Sequence, residues 1–323
     1  GFVEEVGMVE GKSDAPCPTF YLPHRPVVRE DSSTTRVRPV FDASAVDSGG
    51  LSLNDCLHAG PSLMPCLVDV LLRFRRWSVA LTADISKAFL QIKVRPEDRD
   101  VHRYLRHDDD GKLRVLRFER VPFGNKASPF LLNATVQHHL RLQKSSTVVT
   151  ELQTNLYVDD WLSGADSEDE AEQMFLEARS IMSAAGMPLV KWFSNRQEFL
   201  AALCPESGLR MLPHSGKILG VQWSAGTDCF HFEGAYVPPN VVPTKRVVLS
   251  CIARLFDPLG LLTPFVTQAK ILFQESWRLG LEWDVALPEQ LDSEFSAWID
   301  GLCLLRDWRI PRQLSPGHGW STL

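Results

Sequence analysis

A chain of 323 residues, 44% of them hydrophobic and 23% charged, can bury a substantial core in two or three subdomains, which excludes a disordered or low-complexity protein. The formal net charge of -6 argues weakly against a nucleic-acid partner, although a local basic groove can bind nucleic acid on an acidic protein. The seven cysteines have no paired spacing, which is typical of reduced intracellular thiols, and no apolar run suits a membrane span or a signal peptide. We therefore expect an intracellular protein with no membrane segment. Because the sequence starts at Gly1 rather than methionine, we also expect a piece of a longer chain.

The N-terminal part contains an extended arm and a strand with two arginines. Residues 21–26 are punctuated by proline, and residues 34–42 have the pattern of a strand. Arg36 and Arg38 fall on one face of that strand, because side chains alternate with period two. Two guanidinium groups there could grip a triphosphate or could simply be solvated, and the residues alone favour neither reading. Pro39 removes one backbone donor, which predicts an edge strand or a bulge.

The next segments are a loop, a helix and a strand that ends in a carboxylate. Residues 44–65 are rich in Gly, Ser and Asn, and residues 67–77 form an amphipathic pattern that ends in arginines suited to a helix C-terminus. Residues 78–84 are a nearly continuous apolar strand that ends at Asp84. Burying a carboxylate without a partner costs several kcal/mol, so Asp84 is a candidate metal ligand.

The middle of the chain is predicted to contain a strand, a turn and a helix. A strand over residues 115–121 leads into the turn at Pro122, Phe123 and Gly124. Ser128 is expected to be the N-cap of the following helix, with Pro129 at its first position.

Asp159 and Asp160 lie between short runs of apolar and β-forming residues, a pattern that predicts a hairpin with both carboxylates at its tip. Like charges at adjacent positions repel unless something positive neutralises them, and a pair of divalent cations would do so. Two aspartates alone more often form a solvated tip. A third carboxylate, that of Asp84, shifts the interpretation toward a metal site.

The remaining pattern predicts an α+β fold with helices packed on an antiparallel sheet. Residues 167–170 form a capping box for a helix that ends at Gly186, and strands follow at 189–193 and 217–223. Three helices are predicted after Pro243, over residues 245–256, 263–279 with Thr263 as N-cap, and 288–304. A subdomain boundary is expected near 225–243, around Gly226, Pro238 and Pro239.

Asp84, the Pro122-Phe123-Gly124 turn and Tyr157-Val158-Asp159-Asp160 occur in an order that resembles a reverse transcriptase, and more narrowly the polymerase of BEL/Pao-type LTR retrotransposons. The resemblance runs from about residue 3 to the end of the chain. It is supported by the strings Tyr21-Leu22-Pro23-His24, Val40-Phe41-Asp42-Ala43-Ser44, Ser52-Leu53-Asn54-Asp55, Lys87-Ala88-Phe89-Leu90-Gln91-Ile92, Lys191-Trp192, Lys217-Ile218-Leu219-Gly220 and Phe256-Asp257-Pro258-Leu259-Gly260.

This resemblance implies a right-hand polymerase fold. Residues 1–77 would be the N-terminal arm and fingers, and residues 78–225 the palm, with a further part of the fingers around 95–130. Residues 226–323 would be a helical thumb- or connection-like region. The ribonuclease H and integrase segments that follow in the family are expected to lie outside this chain.

The resemblance also implies RNA-directed DNA polymerase activity, in which dNTPs are added to a primer 3′-hydroxyl by a two-metal mechanism. Asp84 and Asp159 would bind two Mg²⁺ ions, which Mn²⁺ could replace, and Asp160 would complete the acidic site. The partners would be an RNA or DNA template with its primer, dNTPs and the remaining polyprotein segments, in the cytoplasm or in virus-like particles.

Further roles are carried over from the family by position. Arg38, and after it Arg36, would grip the triphosphate, with Ile85, Phe89, Phe123 and Gly124 around the nucleotide. Phe89 would collide with a ribose 2′-hydroxyl, or would be an aromatic residue of the core, and Gly124 would let the backbone approach the substrate. Lys191 would protonate pyrophosphate, although a lysine at a strand end is usually solvated. Lys217, Leu219 and Gly220 resemble the primer grip.

Two alternatives stay open. Pro39 and Ser86 stand where the family more often has an aliphatic residue and an acid, so a decayed or co-opted domain that binds nucleic acid without polymerising is one alternative. Asp47-Ser48-Gly49 matches the signature of an aspartic peptidase, but it lies in a predicted loop rather than after an apolar strand. The peptidase is therefore the less favoured alternative.

Overall fold

The computed structural model describes residues 1–8, 19–28, 36–203, 215–232 and 241–314. Thr34 and Thr35 of the predicted arginine strand, and Pro238 and Pro239 of the predicted boundary, lie outside these ranges. The chain forms two compact units, each built from separate segments. The first contains Gly1–Met64, Ile85–Asp159 and Ala178–Leu189, and the second contains Pro65–Asp84, Asp160–Glu177 and Val190–Leu323.

The strands, in chain order, are β1 (Val3–Met8), β2 (His24–Val28), β3 (Val37–Phe41), β4 (Val79–Ile85), β5 (Arg103–His107), β6 (Leu113–Phe118), β7 (Leu156–Tyr157), β8 (Asp160–Ala165), β9 (Leu189–Ser194), β10 (Ser215–Ile218), β11 (Val221–Ser224), β12 (Cys229–His231) and β13 (Arg309–Pro311). The α-helices are α1 (Leu53–Cys56), α2 (Leu67–Phe74), α3 (Ser128–Arg141), α4 (Thr147–Asn155), α5 (Glu168–Ala184), α6 (Gln197–Leu203), α7 (Lys245–Arg254), α8 (Thr263–Arg278) and α9 (Glu289–Leu305). In these described ranges, no helix is both long enough and apolar enough to cross a bilayer.

The first unit contains an antiparallel sheet of order β1–β6–β5, in which the N-terminal strand β1 was not predicted. Ion pairs reinforce the pairing of β1 with this sheet, because Arg117 donates to Glu4 at 2.6 Å and Arg114 donates to Glu5 at 3.0 Å. The Arg117 guanidinium lowers the pKa of Glu4, and Arg99, which also bonds to Glu4, adds to this effect. A buried cluster in the same unit consists of Leu22, Phe41, Ala43, Leu53 and Phe118.

Strands β2 and β3 form a separate two-stranded antiparallel ribbon. Pro26 lies directly opposite Pro39, so neither position of this pair has a backbone N–H. Because a ribbon of two strands consists only of edge strands, the structure confirms the edge position predicted for Pro39.

The second unit contains β8, β4 and β9 side by side in that order, with β4 buried along most of its length. The register of β4 with β8 runs from Val79 opposite Ala165 to Asp84 opposite Asp160. Helix α2 supplies Val70, Leu71 and Phe74 to a core cluster that also contains Ala80 of β4 and Trp223 of β11. These antiparallel strands with packed helices confirm the predicted α+β class.

The hairpin of β10 and β11 has a two-residue loop, Leu219 and Gly220, with φ angles of +46° and +88°. Two successive positive φ values define the type I′ turn that suits the twist of a hairpin. Strand β13 joins the same sheet beside β12, an addition that the sequence did not indicate. Helices α7, α8 and α9 then pack around a core that contains Phe295, Trp298 and Leu302.

Two predicted helix caps are wrong. Ser128 and Thr263 are the first helical residues rather than N-caps, and neither side chain caps its helix. The Ser128 hydroxyl donates instead to the Pro122 carbonyl at 2.9 Å. Before α8, the Asp257 carboxylate accepts the N–H groups of Leu261 at 2.8 Å and Leu262 at 2.6 Å. A negative charge is favourable there, because the backbone N–H groups at a helix N-terminus lack intrahelical partners.

The predicted capping box of α5 is found only in part. Ser167 accepts the N–H of Glu170 at 3.3 Å, as expected, but the Glu170 carboxylate accepts the N–H of Asp166 at 3.2 Å. A capping box would place that second bond on Ser167.

The second unit has a fully buried guanidinium, that of Arg312, which lies just after β13. It donates to both carboxylate oxygens of Asp228, at 2.6 and 2.8 Å, and to the carbonyls of Phe74 at 2.7 Å and Trp77 at 2.8 Å. Arg75, predicted as one of the arginines at the end of α2, is also buried and donates to the Arg312 carbonyl at 2.9 Å. The pKa of Arg75 is lowered by burial and by the neighbouring Arg312 charge.

We expect Arg312→Ala to lower the free energy of unfolding by about 3–5 kcal/mol, because it leaves the Asp228 carboxylate without its cationic partner and several carbonyls without their donor. Arg309→Ala removes an exposed arginine from the adjacent strand β13 and should change the free energy of unfolding by less than about 0.5 kcal/mol. Urea unfolding of both variants measures the difference. Equal losses would show that the buried ion pair does not stabilise this unit.

Candidate active site

Asp84 lies near the end of β4, and its side chain is 18% exposed. Its Cα is opposite that of Asp160 in the β4–β8 register. The ammonium of Lys191, on β9, donates a hydrogen bond to the Asp84 carboxylate. The largely buried acid therefore has a cationic partner, which offsets the cost of burying its charge. The structure thus brings together Asp84, Asp160 and Lys191.

Lys191 has an unusual backbone conformation for a strand residue. Its φ is +52°, in the left-handed region that a side chain with a Cβ rarely adopts. Its side chain is 55% exposed. The lysine is therefore accessible to solvent and is also bonded to Asp84. Its role toward pyrophosphate stays a prediction.

The break between strands is formed by Val158 and Asp159, because β7 ends at Tyr157 and β8 begins at Asp160. The prediction that both carboxylates lie at the tip is therefore wrong for Asp160, which is the first residue of β8. Val158 has φ of +57°, which is costly for a β-branched residue, on the order of 1–3 kcal/mol. The Asp159 carbonyl accepts the N–H of Ile85 at 2.8 Å, so it is fixed beside the residue that follows Asp84. Strain of this kind clusters at functional sites.

Carboxylate oxygens of this kind suit a divalent cation. Asp84 and Asp160 face each other in register and offer the hard oxygen ligands that Mg²⁺ prefers, and the Lys191 ammonium shows that a cation is accommodated at Asp84. Across the described residues, no group of three or more His, Cys, Asp or Glu side chains is already arranged to hold a metal ion. The carboxylates of Asp84 and Asp160 are thus of the chemical type that binds Mg²⁺, and their binding of the ion stays a prediction.

The first unit brings together two of the residues predicted around the nucleotide. The rings of Phe89 and Phe123 are 5.0 Å apart and 63° from parallel, an edge-to-face pair. Phe123 is 48% exposed and Phe89 is half-buried, so the pair borders solvent and Phe89 is not an enclosed core residue. Ile85 is buried in the same unit.

Gly124 has φ of +100°, and a Cβ added there would lie 2.7 Å from the Phe41 carbonyl oxygen at the end of β3. A glycine is therefore required at position 124 because the Phe41 carbonyl leaves no room for a Cβ, whether or not the turn contacts a substrate. Arg38 lies within β3 opposite Val27, whereas Arg36 precedes the strand, and both are exposed. Their contact with a triphosphate stays a prediction.

The predicted primer grip is the β10–β11 hairpin. Lys217 is an exposed residue of β10, and Leu219 and Gly220 form the turn. A Cβ on Gly220 would lie 2.7 Å from the Phe256 ring, so the turn packs closely on the segment before α8. The structure explains this glycine, and contact with a primer stays a prediction.

The peptidase-like triplet is a loop. Asp47 uses one carboxylate oxygen to accept the N–H groups of Gly49 at 2.8 Å and Leu51 at 3.1 Å. This local turn gives the aspartate a structural function and supports a coincidental match to the peptidase signature.

Three polar residues beside the Phe123 turn had no predicted role. Asn54, His102 and Asn125 all bond close to this turn, and the last two are buried. The Asn125 amide nitrogen lies 2.7 Å from His102 Nε2, which accepts its hydrogen bond. Burial lowers the pKa of His102 to about 4, against a smaller opposite effect of Asp98. The signal that could have indicated them was a set of polar residues next to a recognised motif.

We expect Gly124→Ala to be more destabilising than Gly111→Ala. Both glycines have positive φ, +100° and +78°, but only at Gly124 does an added Cβ meet another atom within 4 Å. The first variant should lose about 1–3 kcal/mol more in the free energy of unfolding than the second. Thermal unfolding of the pair separates the close contact from the general strain, and equal losses would contradict the contact.

His102 should make folding sensitive to pH between 6.5 and about 4. The unfolded chain binds the imidazole proton more readily than the native state, so stability is lost as pH falls through this window, by about 3 kcal/mol in total. We expect His102→Gln to reduce this dependence in urea unfolding series at pH 7, 5.5 and 4.5, while His107→Gln, at an exposed histidine, preserves it. An unchanged dependence in His102→Gln would refute the assignment.

Solved structures with the same fold are reverse transcriptases. A foamy viral protease-reverse transcriptase in complex with double-stranded DNA has a TM-score of 0.59 at 15% identity, over 93% of this chain and 45% of that chain. A second complex with double-stranded DNA gives 0.56 at 14% identity, over 94% and 54%, and one with an RNA/DNA hybrid gives 0.52 at 15% identity, over 94% and 35%. This chain thus spans less than half of the first protein. At these identities the likeness shows the polymerase fold, which confirms the fold prediction.

Two family models match separate segments, while no curated protein matches the chain. One describes the reverse transcriptase (RNA-dependent DNA polymerase) and covers residues 52–191. The other describes a Pao retrotransposon-like RNaseH-like domain and covers residues 244–322, a segment we predicted to be thumb- or connection-like. The domain boundaries and the expected location of ribonuclease H outside this chain stay predictions. Residues 52–191 therefore match the reverse transcriptase model and residues 244–322 match the Pao retrotransposon-like model, and the two matches together confirm the resemblance to a BEL/Pao reverse transcriptase.

Proposed function

We propose that this chain is the RNA-directed DNA polymerase part of a BEL/Pao retrotransposon polyprotein. The observation that carries the proposal is the facing pair Asp84 and Asp160, together with the strained turn that holds Asp159, inside the segment that matches the reverse transcriptase model. A solvated acidic hairpin would explain neither the burial of Asp84 nor the strain at Val158.

Asp84 and Asp159 would hold two Mg²⁺ ions, or Mn²⁺ in their place, and Asp160 would add negative charge and a further ligand. Ions held by these carboxylates would lower the pKa of a primer 3′-hydroxyl and would offset charge on the departing pyrophosphate. The chain's own contribution is to fix these carboxylates before substrate arrives. The β4–β8 register fixes Asp84 against Asp160, and the bond from Ile85 fixes the Asp159 backbone.

The other predicted residues would act on the incoming nucleotide. Arg38 and Arg36 would bind the triphosphate through charge-assisted hydrogen bonds. The edge-to-face pair of Phe89 and Phe123 gives a rigid wall on which a ribose 2′-hydroxyl would be rejected. Lys191 has an ammonium that can donate a proton to the leaving pyrophosphate once it releases Asp84.

The partners follow from the same reading. A primed RNA or DNA template and dNTPs would be the substrates, and the hairpin with Lys217, Leu219 and Gly220 would contact the primer. Fingers, palm and thumb would take residues 1–77, 78–225 and 226–323. Integrase would be supplied by another part of the polyprotein.

Primer extension on an RNA template with dNTPs and Mg²⁺ tests this function. We expect extension by the unmodified chain and a loss of at least about a hundredfold in Asp159→Asn, because several kcal/mol of stabilisation by the metal would be removed. Asp109→Asn changes an exposed carboxylate in the β5–β6 turn and should leave extension unchanged.

Two outcomes would contradict the proposal. Extension that survives Asp159→Asn would sink the two-metal assignment. A folded, unmodified chain that binds primed template but never extends it would show a co-opted nucleic-acid-binding domain instead.

A further inference from the structure

The string Ser52-Leu53-Asn54-Asp55 contains the N-cap, Ser52, and the first three residues of the short helix α1. Ser52 and Asp55 close a capping box, with Ser52 accepting the N–H of Asp55 at 3.2 Å and Asp55 accepting the N–H of Ser52 at 2.9 Å. Leu53 is buried at 3% exposure in the core cluster with Phe41. The Asn54 backbone is held independently of the capping box, because its N–H donates to the Ala43 carbonyl at 2.9 Å.

The Asn54 side chain is bonded in three directions. Its amide nitrogen donates to the Gly124 carbonyl at 3.1 Å and to the Ser44 hydroxyl at 2.8 Å. Its amide oxygen accepts the N–H of Lys126 at 2.9 Å. One side chain thus holds both ends of the Gly124–Lys126 peptide segment and ties it to the residues that follow β3.

Three other contacts hold the same turn. The Gly124 backbone lies against the Phe41 carbonyl, and the Asn125 side chain is bonded to His102 inside the protein. The Ser128 hydroxyl donates to the Pro122 carbonyl. Phe123 therefore projects from a turn whose neighbours are fixed on both sides, and its exposed ring rests against Phe89.

We propose that Asn54 is a positioning residue that fixes the Pro122–Lys126 turn, and that through the Phe123–Phe89 ring contact it sets discrimination between dNTPs and rNTPs. This inference rests on the proposed polymerase function. The side-chain bonds of Asn54 go to Ser44 and to the backbone of the turn, so its influence is carried by the turn.

The chemistry requires an amide at this position. A carboxamide donates and accepts at once, which the bonds to Gly124 and Lys126 both need. A carboxylate in its place could accept from Lys126 but could not donate to Gly124 or Ser44, and a methyl group could do neither. A turn released from Gly124 would let Phe123 move, and a small displacement of a positioning group is enough to change rates strongly.

The test compares Asn54→Ala and Asn54→Asp with Asp55→Ala, which breaks the capping box but leaves the Asn54 amide in place. The ratio of kcat/KM for dNTP over rNTP should fall by about tenfold in both Asn54 variants. Asp55→Ala should keep the ratio of the unmodified chain, even where its Tm falls as far as that of Asn54→Ala. An unchanged ratio in both Asn54 variants, or an equal fall in Asp55→Ala, would overturn the inference.

A second measurement does not depend on polymerase activity. Amide hydrogen exchange over residues 122–127 should quicken at Lys126 in Asn54→Ala, while Asn54→Asp, which keeps the acceptor, should protect that amide. If the unmodified chain extends no primer, the proposed function fails and its discrimination ratio with it. Exchange unchanged in Asn54→Ala would then overturn the positioning role on its own evidence.

Discussion

The buried ion pair between Arg312 and Asp228 supports the sheet that carries Asp84 in the second unit. Asp228 also accepts the amide of Asn195, just after β9, and Asn195 accepts the N–H of Ala80 in β4 at 2.9 Å. Asp84 lies four residues beyond Ala80, and Lys191 four residues before Asn195, as expected of antiparallel neighbours. The Arg312–Asp228 ion pair thus fixes β4 and β9 at one end through Asn195. This sets the register in which Asp84 and Lys191 meet at the other end. The Arg312 charge is stable inside the protein, because nearly every N–H group of its guanidinium has an acceptor.

In the first unit, neutral polar groups hold the backbone near candidate functional residues. The turn at Phe123 has no regular strand or helix to hold it, so its backbone is bonded by side chains, chiefly Asn54. A single amide near the surface is weaker than a buried guanidinium, since each of its bonds contributes about 0.5–1.5 kcal/mol. The protein adds a close backbone contact at Gly124 and the buried pair of His102 and Asn125. In both units, therefore, the candidate functional residues lie next to polar side chains that hydrogen-bond to the backbone.

The features that could be predicted from the sequence are those that depend on residues close to each other in the chain. The apolar strand that carries Asp84 near its end, a break between strands beside Asp159, and helix α5 all follow from local pattern and were found, although the break lies one residue earlier than predicted. Arg312 gave no local signal, because its partner Asp228 is 84 positions away and its burial depends on strands that pair only after folding. The bond from Asn54 to Gly124 spans 70 positions and was missed for the same reason. The two wrong helix caps show that residue type alone does not determine a cap, since Ser128 and Thr263 are both of a type that caps helices. The Ser128 hydroxyl bonds to the Pro122 carbonyl instead, and before α8 the Asp257 carboxylate accepts the backbone N–H groups.

The facing prolines of the β2–β3 ribbon have a consequence for contacts with other chains. Both outer edges of a two-stranded ribbon normally offer N–H groups to an incoming strand, and exposed valines such as Val28, Val37 and Val40 would favour such an addition. Pro26 and Pro39 remove that donor at the same level on both edges. The ribbon is thereby protected against edge-to-edge aggregation, although it is exposed, apolar in part and only two strands wide.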